Sequence, residues 1–229
     1  MASDLEIAVR NFGRRVRSRA HGFVGRREEA AVLWARTLPG WFSRREIELL
    51  YRTVRDLEGP GDIAEVGSWK GRSTVVLGRA VRDAAIADCR IFAIDHHVGS
   101  DEERHHAILA REKTTLEAFR RNVHGAGVAH LVEEMVMSSA EAARVLAGRG
   151  VRLRLGFIDG AHDAESVCAD IRAFLPLLRP GGLMAFHDCL EVEAPFPGVW
   201  EAYRDELQPR ADEIGRADSL LVVRPRGPS

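Results

Sequence analysis

Five apolar runs of strand length, at residues 63–66, 91–94, 131–136, 153–158 and 183–186, punctuate the chain, and segments with helical periodicity separate them. Strands that alternate with helices at this spacing build right-handed βαβ units. The runs therefore predict an α/β fold, a parallel sheet with helices on both faces. Each run also closes on residues suited to a site: Glu65 and Gly67, then Asp95, Ser138, Asp159, and His187 with Asp188. In an open α/β sheet, ligands bind beyond the carboxyl ends of the strands, so these residues are expected to share one edge.

Helix signals fill the gaps. Ser43 and Glu46 fit a capping box ahead of Ile47, Leu50, Val54 and Leu57 at helical spacing, and Ser138 with Glu141 repeats the device ahead of Ala142, Val145 and Leu146. Residues 114–123 read as helical. Val167, Ile171, Phe174 and Leu178 share one helix face, which the run Arg179-Pro180-Gly181-Gly182 is expected to stop. After a helix over 199–207, short runs at 212–214 and 220–223 predict an antiparallel hairpin, bringing the sheet to seven strands.

A chain of 229 residues can bury one large core. The expected organisation is a helical extension over 1–58 ahead of a single ligand-binding domain over 59–229. The formal charge of −1 gives no global attraction to nucleic acid or to an anionic membrane. The arginine-rich stretch 10–27 is accordingly read as a solvated helix face. Three scattered cysteines, without a C-x-x-C pair, argue for reduced thiols and against a zinc ribbon. No apolar run has signal-peptide or membrane length, and a cytoplasmic protein is expected.

The stretch 61–74, GDIAEVGSWKGRST, reads as strand, glycine turn and helix start. Such a turn lets backbone N–H groups at a helix N-terminus approach a polar ligand, because glycine adopts tight or positive-φ geometry without a Cβ. A dinucleotide fingerprint needs G-x-G-x-x-G, but Trp69 stands where the middle glycine belongs, and its indole would crowd a pyrophosphate. The glycines alone would also fit an ordinary βα turn. Asp95 follows 24 residues after Gly71, close to where an acid accepts ribose hydroxyls; a helix cap is its plainer role.

The segment resembles the first motif of class I S-adenosylmethionine-dependent methyltransferases, in particular the metal-dependent O-methyltransferases of the catechol and antibiotic-sugar type. The resemblance implies a Rossmann-like methyltransferase fold in which Glu65, Gly67, Ser68, Gly71 and Ser73 hold the amino-acid half of the cofactor. It also implies that Ser138 and Ser139 lie under the adenine, although capping alone would account for Ser138. Two further motifs extend it, F-I-D-G-A-H at 157–162 and F-H-D at 186–188. Carboxylates ending adjacent strands can share a hard cation, which needs oxygen ligands. In the resembling enzymes the residues at Asp159 and Asp188 hold magnesium, Asp159 also borders the cofactor, and the residue at His162 is the general base.

Catechol-type enzymes carry a ligating asparagine after the second aspartate, where this chain has Cys189, a poor partner for magnesium. His187, Glu191, Glu193 or water is left to complete the ligand set. His96, His97, His105 and His106 match no zinc spacing and lie in a polar stretch, 96–111, expected to form a lid. The implied function is methyl transfer to a small-molecule hydroxyl, a saccharide or glycoside before a phenol, catechol or polyketide. The expected assembly is a homodimer without nucleic-acid or membrane partners. An NAD-linked oxidoreductase and a non-catalytic binding protein are the alternatives.

Overall fold

The computed structural model describes residues 4–23, 25–99, 114–191 and 195–226. Three helices, α1 (Asp4–Phe23), α2 (Arg27–Ala35) and α3 (Arg44–Asp56), precede the sheet. There follow β1 (Asp62–Val66), α4 (Arg72–Asp83), β2 (Ile91–Ile94), α5 (Leu116–Gly125), β3 (Val132–Met135), α6 (Ser139–Gly148), β4 (Leu153–Ile158), α7 (Ala164–Phe174) and β5 (Leu178–Phe186). Helix α8 (Pro197–Glu206) and the hairpin of β6 (Ala211–Ala217) and β7 (Leu220–Pro225) close the chain.

Among the described residues the strands form one seven-stranded sheet in the order β3-β2-β1-β4-β5-β7-β6. All neighbours pair in parallel except β7, which runs antiparallel to both β5 and β6. The chain reverses its direction of travel across the sheet between β1 and β4, and this switch point leaves a crevice at their carboxyl ends. The expected parallel sheet with its antiparallel hairpin is present.

The side-chain period of two explains why the central strands are apolar on both faces, with Glu65 and Arg154 as buried exceptions. Ile63 of β1, Leu155 and Phe157 of β4, and Leu183 and Ala185 of β5 pack with α2, α3 and α4 through Val32, Ile47, Leu50, Val54 and Val76. Their strand neighbours Ala64, Val66, Ile158, Met184 and Phe186 face the other way, onto Leu146, Val167, Ile171, Phe174 and Tyr203. Each strand is buried on both sides. Both capping boxes form, with Ser43 and Ser138 side chains accepting from the Glu46 and Glu141 amides.

Two local expectations need correction. The apolar face of α7 ends at Phe174, because the turn over Leu175–Leu177 places Pro176 where a helical amide donor is needed. Residues 178–182 then enter β5 instead of forming a helix stop. The β4–β5 register shifts between Leu153 and Leu155, and a Cβ on Gly182 would lie 3.0 Å from two carbonyl oxygens. Helix α2 has no amphipathic stripe to announce it: Ala30 to Ala35 are all buried. Within the arginine-rich stretch, residues 10–23 belong to α1, and Arg14 and Arg15 donate to Arg36 O and Thr37 Oγ1 just beyond α2. No helix among the described residues is long and apolar enough to cross a membrane.

Candidate active site

The crevice is built on the turn after β1. Gly67 sits at φ +89°, its N–H donates to Ile94 O at 2.9 Å, and a Cβ there would fall 2.1 Å from Asp159 O. Only glycine fits. The following residues are held from β2: Asp95 Oδ2 accepts from the Trp69 N–H at 2.7 Å and Oδ1 from the His97 N–H at 2.6 Å. That clamp keeps Trp69 at φ +47°, a conformation costly for a residue with a Cβ. Gly71, at φ +82°, is the N-cap of α4 and packs against Phe119.

Glu65 lies beneath this turn and not on a ligand-accessible wall. It is fully buried and accepts from Thr74 Oγ1 at 2.5 Å. Burial pushes its carboxyl up to about 8, against the stabilising hydroxyls of Ser73 and Thr74. Ser68, Gly71 and Ser73 are likewise buried. None of these four is among the residues that line the cavity above the strand ends.

A cavity of about 410 Å³ opens above the strand ends. Of the residues singled out in the sequence, Gly67, Asp95, Ser138, Ser139, Asp159, His162, His187 and Asp188 line it. Trp41 and Phe42, from the loop before α3, close one side, and Trp41 packs tilted on Trp69 with centroids 5.8 Å apart. Ser138 spends its hydroxyl on Glu141 Oε2 at 2.7 Å. Ser166, Ala169 and Asp170 of α7 also line the cavity, and the sequence reading did not include them. Their spacing, a small or polar stripe at i, i+3 and i+4 beside the apolar face, was the available signal.

At the end of the cavity beside Phe42, four titratable groups meet. His187 Nδ1 lies 3.1 Å from Asp159 Oδ1 and 3.2 Å from Asp188 Oδ2, and its Nε2 is 3.5 Å from Glu46 Oε2. The last contact is an ion pair without good hydrogen-bond geometry. The ring is 4% exposed and stacks flat on Phe42 at 4.3 Å. Burial opposes its charge, but Asp159, Asp188 and Glu46 together push it up to about 12. Burial opposes ionisation of Asp188 too, yet the two histidines hold that carboxyl well below the usual range. Asp159 shifts upward: protein encloses it so fully that desolvation outweighs His187, although 19% of its side chain faces the cavity.

His162 Nε2 is 3.3 Å from Asp188 Oδ2, and its ring stacks on Phe196 at 4.1 Å. One ligand atom each from Asp159, His162 and Asp188 falls within 4.8 Å of the others. Donors at that separation fit around one cation with bonds of roughly 2.0–2.6 Å. His187, named from the sequence as a possible third ligand, falls outside that group of three. Its Nδ1 faces Asp159 and Asp188, so without a cation it serves as a proton donor to both carboxylates. Cys189 is fully buried in the core, its N–H donating to Ser219 O, so it offers no replacement.

The histidine-rich segment divides. His97 is buried, bonded through Nδ1 to Thr115 Oγ1 at 2.9 Å, while His96 lines the cavity. The remainder of the expected lid, with His105 and His106, lies outside the described residues, as does Glu193.

The glycine turn, the carboxylate after β2 and the cavity volume suit a nucleoside cofactor of moderate size. Comparison with known proteins agrees. A family described as a methyltransferase domain matches residues 64–189. Among solved structures, the fold is similar to the O-methyltransferase NovP, with TM-score 0.62 and 20% identity over 81% of each chain. It is similar to the O-methyltransferase TomG from Streptomyces achromogenes, solved with S-adenosylmethionine, with TM-score 0.61 and 22% identity over 88% of this chain and 90% of that one. It also resembles CalS11, a TDP-rhamnose 3'-O-methyltransferase of calicheamicin biosynthesis, with TM-score 0.53 and 23% identity over 78% and 76%. At these identities the structures speak for the fold, and the family match covers more than half of the chain. The chain belongs to the methyltransferase domain family and has the Rossmann-like class I architecture of S-adenosylmethionine-dependent O-methyltransferases.

Proposed function

We propose that this protein is an S-adenosylmethionine-dependent O-methyltransferase acting on a hydroxyl of a small molecule, a saccharide or glycoside in the first instance, with a magnesium-type cation and His162 as general base. The observation that carries the reading is the meeting of Asp159, His162 and Asp188 on the wall of the cavity that Gly67 and Asp95 also border. The likeness to CalS11, a TDP-rhamnose methyltransferase, supports the saccharide.

When bound, S-adenosylmethionine supplies a sulfonium methyl with a thioether leaving group, and a hard cation supplies Lewis acidity at the acceptor oxygen. The chain supplies the rest. Asp95 keeps lone pairs for ribose hydroxyls beyond its two backbone bonds. Asp159 and Asp188 offer the anionic oxygens for the cation. His162 takes the acceptor proton, and Asp188, whose Oδ2 lies 3.3 Å from His162 Nε2, steadies the resulting imidazolium. Phe196 fixes the ring plane. Residues 1–58 act as a cap on the catalytic domain 59–229, contributing Trp41 and Phe42 to the cavity and Glu46 to His187.

Calorimetric titration with S-adenosylhomocysteine and with NAD tests the cofactor. Binding of the first and not the second is expected, since Trp69 fills the place of the dinucleotide glycine. Preference for NAD, or binding of neither, would overturn the reading. Acceptor class is tested on a panel of sugars, glycosides and catechols, because the Trp41–Trp69 pair suits the apolar face of either ring type.

A further inference from the structure

The arginine-rich stretch 10–27 contributes to a second cavity, of about 190 Å³, that shares no lining residue with the candidate active site. Arg19 of α1, Arg27 of α2, and Arg79 and Arg82 of α4 line it. At 1.5 Å of rise per residue, Arg79 stands roughly 12 Å along α4 from Gly71 and the cofactor turn.

Four guanidinium groups meet one carboxylate there, and that carboxylate is already engaged. Asp83 takes Arg82 on Oδ1 at 2.8 Å and the Tyr51 hydroxyl on Oδ2 at 3.1 Å. Arg27 donates to a carbonyl, Asp83 O, and Arg19 makes no hydrogen bond or ion pair among the described residues.

Arg79 is the buried member of the group, 7% exposed. Its guanidinium lies over the Trp34 ring at 4.7 Å, and Nη1 donates to Ser18 Oγ at 3.2 Å and to Ala30 O at 3.1 Å. Its buried Nε has no partner, and no carboxylate pairs with it among the described residues. Burial and Arg82 pull its pKa down to about 10, so it remains a cation at neutral pH. A buried cation without a counter-ion is costly, and like charges around one hollow add repulsion. An anion in the hollow relieves both.

The hollow has less than half the volume of the active-site cavity, 190 against 410 Å³, and falls below the range of sites for drug-sized ligands. Guanidinium forks match phosphate oxygens in pairs, a geometry that a halide cannot accept. We propose that this cavity is a binding site for a phosphate group, as the free ion or as a small phosphomonoester, held by Arg79 with Arg19, Arg27 and Arg82. The bound phosphate ties α1 and α2 to α4, and so fastens the N-terminal helices to the helix that begins at the cofactor turn.

The test is calorimetric titration of the full-length protein with inorganic phosphate, beside melting temperatures in phosphate and in sodium chloride at matched ionic strength. Saturable binding is expected, with a rise in melting temperature that chloride does not reproduce. Arg19→Gln combined with Arg82→Gln, both on exposed side chains, should weaken phosphate binding by at least about tenfold. Asp83→Asn keeps an acceptor for the Tyr51 hydroxyl and removes the one negative charge, so it should tighten binding by about threefold. Arginines that serve packing alone would produce neither change. Ribose 5-phosphate separates the sources: tighter binding than phosphate marks an organic phosphomonoester, weaker binding the free ion. Wild-type protein that binds neither probe overturns the inference, and so does a double variant with wild-type affinity for phosphate.

Discussion

A side-chain carbon on Gly67 would lie 2.1 Å from the carbonyl oxygen of Asp159, so the turn after β1 and the end of β4 are in contact without room for a methyl group. This contact ties the cofactor turn to the carboxylate proposed for the cation. Gly67→Ala should combine overpacking with a left-handed alanine, together about 2–4 kcal/mol of destabilisation. Urea unfolding should show it as a lowered midpoint at unchanged slope, and an unchanged midpoint would mean that the two segments separate easily.

Asp95 is expected to contribute to cofactor affinity directly and through the turn, since both its oxygens already hold backbone amides. Asp95→Ala should weaken S-adenosylhomocysteine binding by roughly 1–3 kcal/mol. Asp95→Asn keeps part of the clamp and should lose less. Calorimetry that finds both variants equal to wild type would remove Asp95 from the site.

Glu65 predicts a pH dependence of stability. Its folded pKa is raised from 4.5 to about 8, so the folded protein retains a proton that the unfolded chain releases. Stability from this group is full below pH 4.5, falls as pH rises from there to about 8, and changes no further. The slope cannot exceed about 1.4 kcal/mol per pH unit. Glu65→Gln should flatten the ligand-free protein's stability profile in that window. His187, raised to about 12, leaves a residual slope of the same sign above pH 6.5 in both proteins. Parallel profiles for wild type and variant would show that Glu65 ionises normally.

His162→Ala should keep the affinities for Mn²⁺ and for S-adenosylhomocysteine and lower turnover by about 10² to 10⁴, the span for a lost general base. Loss of Mn²⁺ affinity instead would make His162 a ligand, a role the separation of its donor atom also permits.

The central strands were legible because they are buried on both faces, so Ile91–Ile94 is an unbroken apolar run and Leu153–Ile158 carries one charged residue, the buried Arg154. Capping boxes at Ser43 and Ser138 were legible for a different reason: they are local, needing only residues three apart. Residues that act through long-range packing were not. Glu46 reads as a cap, and nothing in its neighbourhood announces that its other oxygen accepts from Ser219 or that His187 lies behind it. Pro176 was passed over as a helix end because the apolar period continues through Leu178. Asp170 was hidden in the same way, one position before a core isoleucine on a helix read for its apolar face.

The central claim is that Asp159 and Asp188 hold a cation that the reaction needs. The direct measurement is methyl transfer from labelled S-adenosylmethionine to a responsive acceptor, with magnesium and then with excess chelator, alongside calorimetry of S-adenosylhomocysteine under both conditions. The account predicts that chelation abolishes transfer, that magnesium restores it, that cofactor affinity changes little, and that Asp188→Asn loses both Mn²⁺ affinity and rate. Full activity in excess chelator would contradict it.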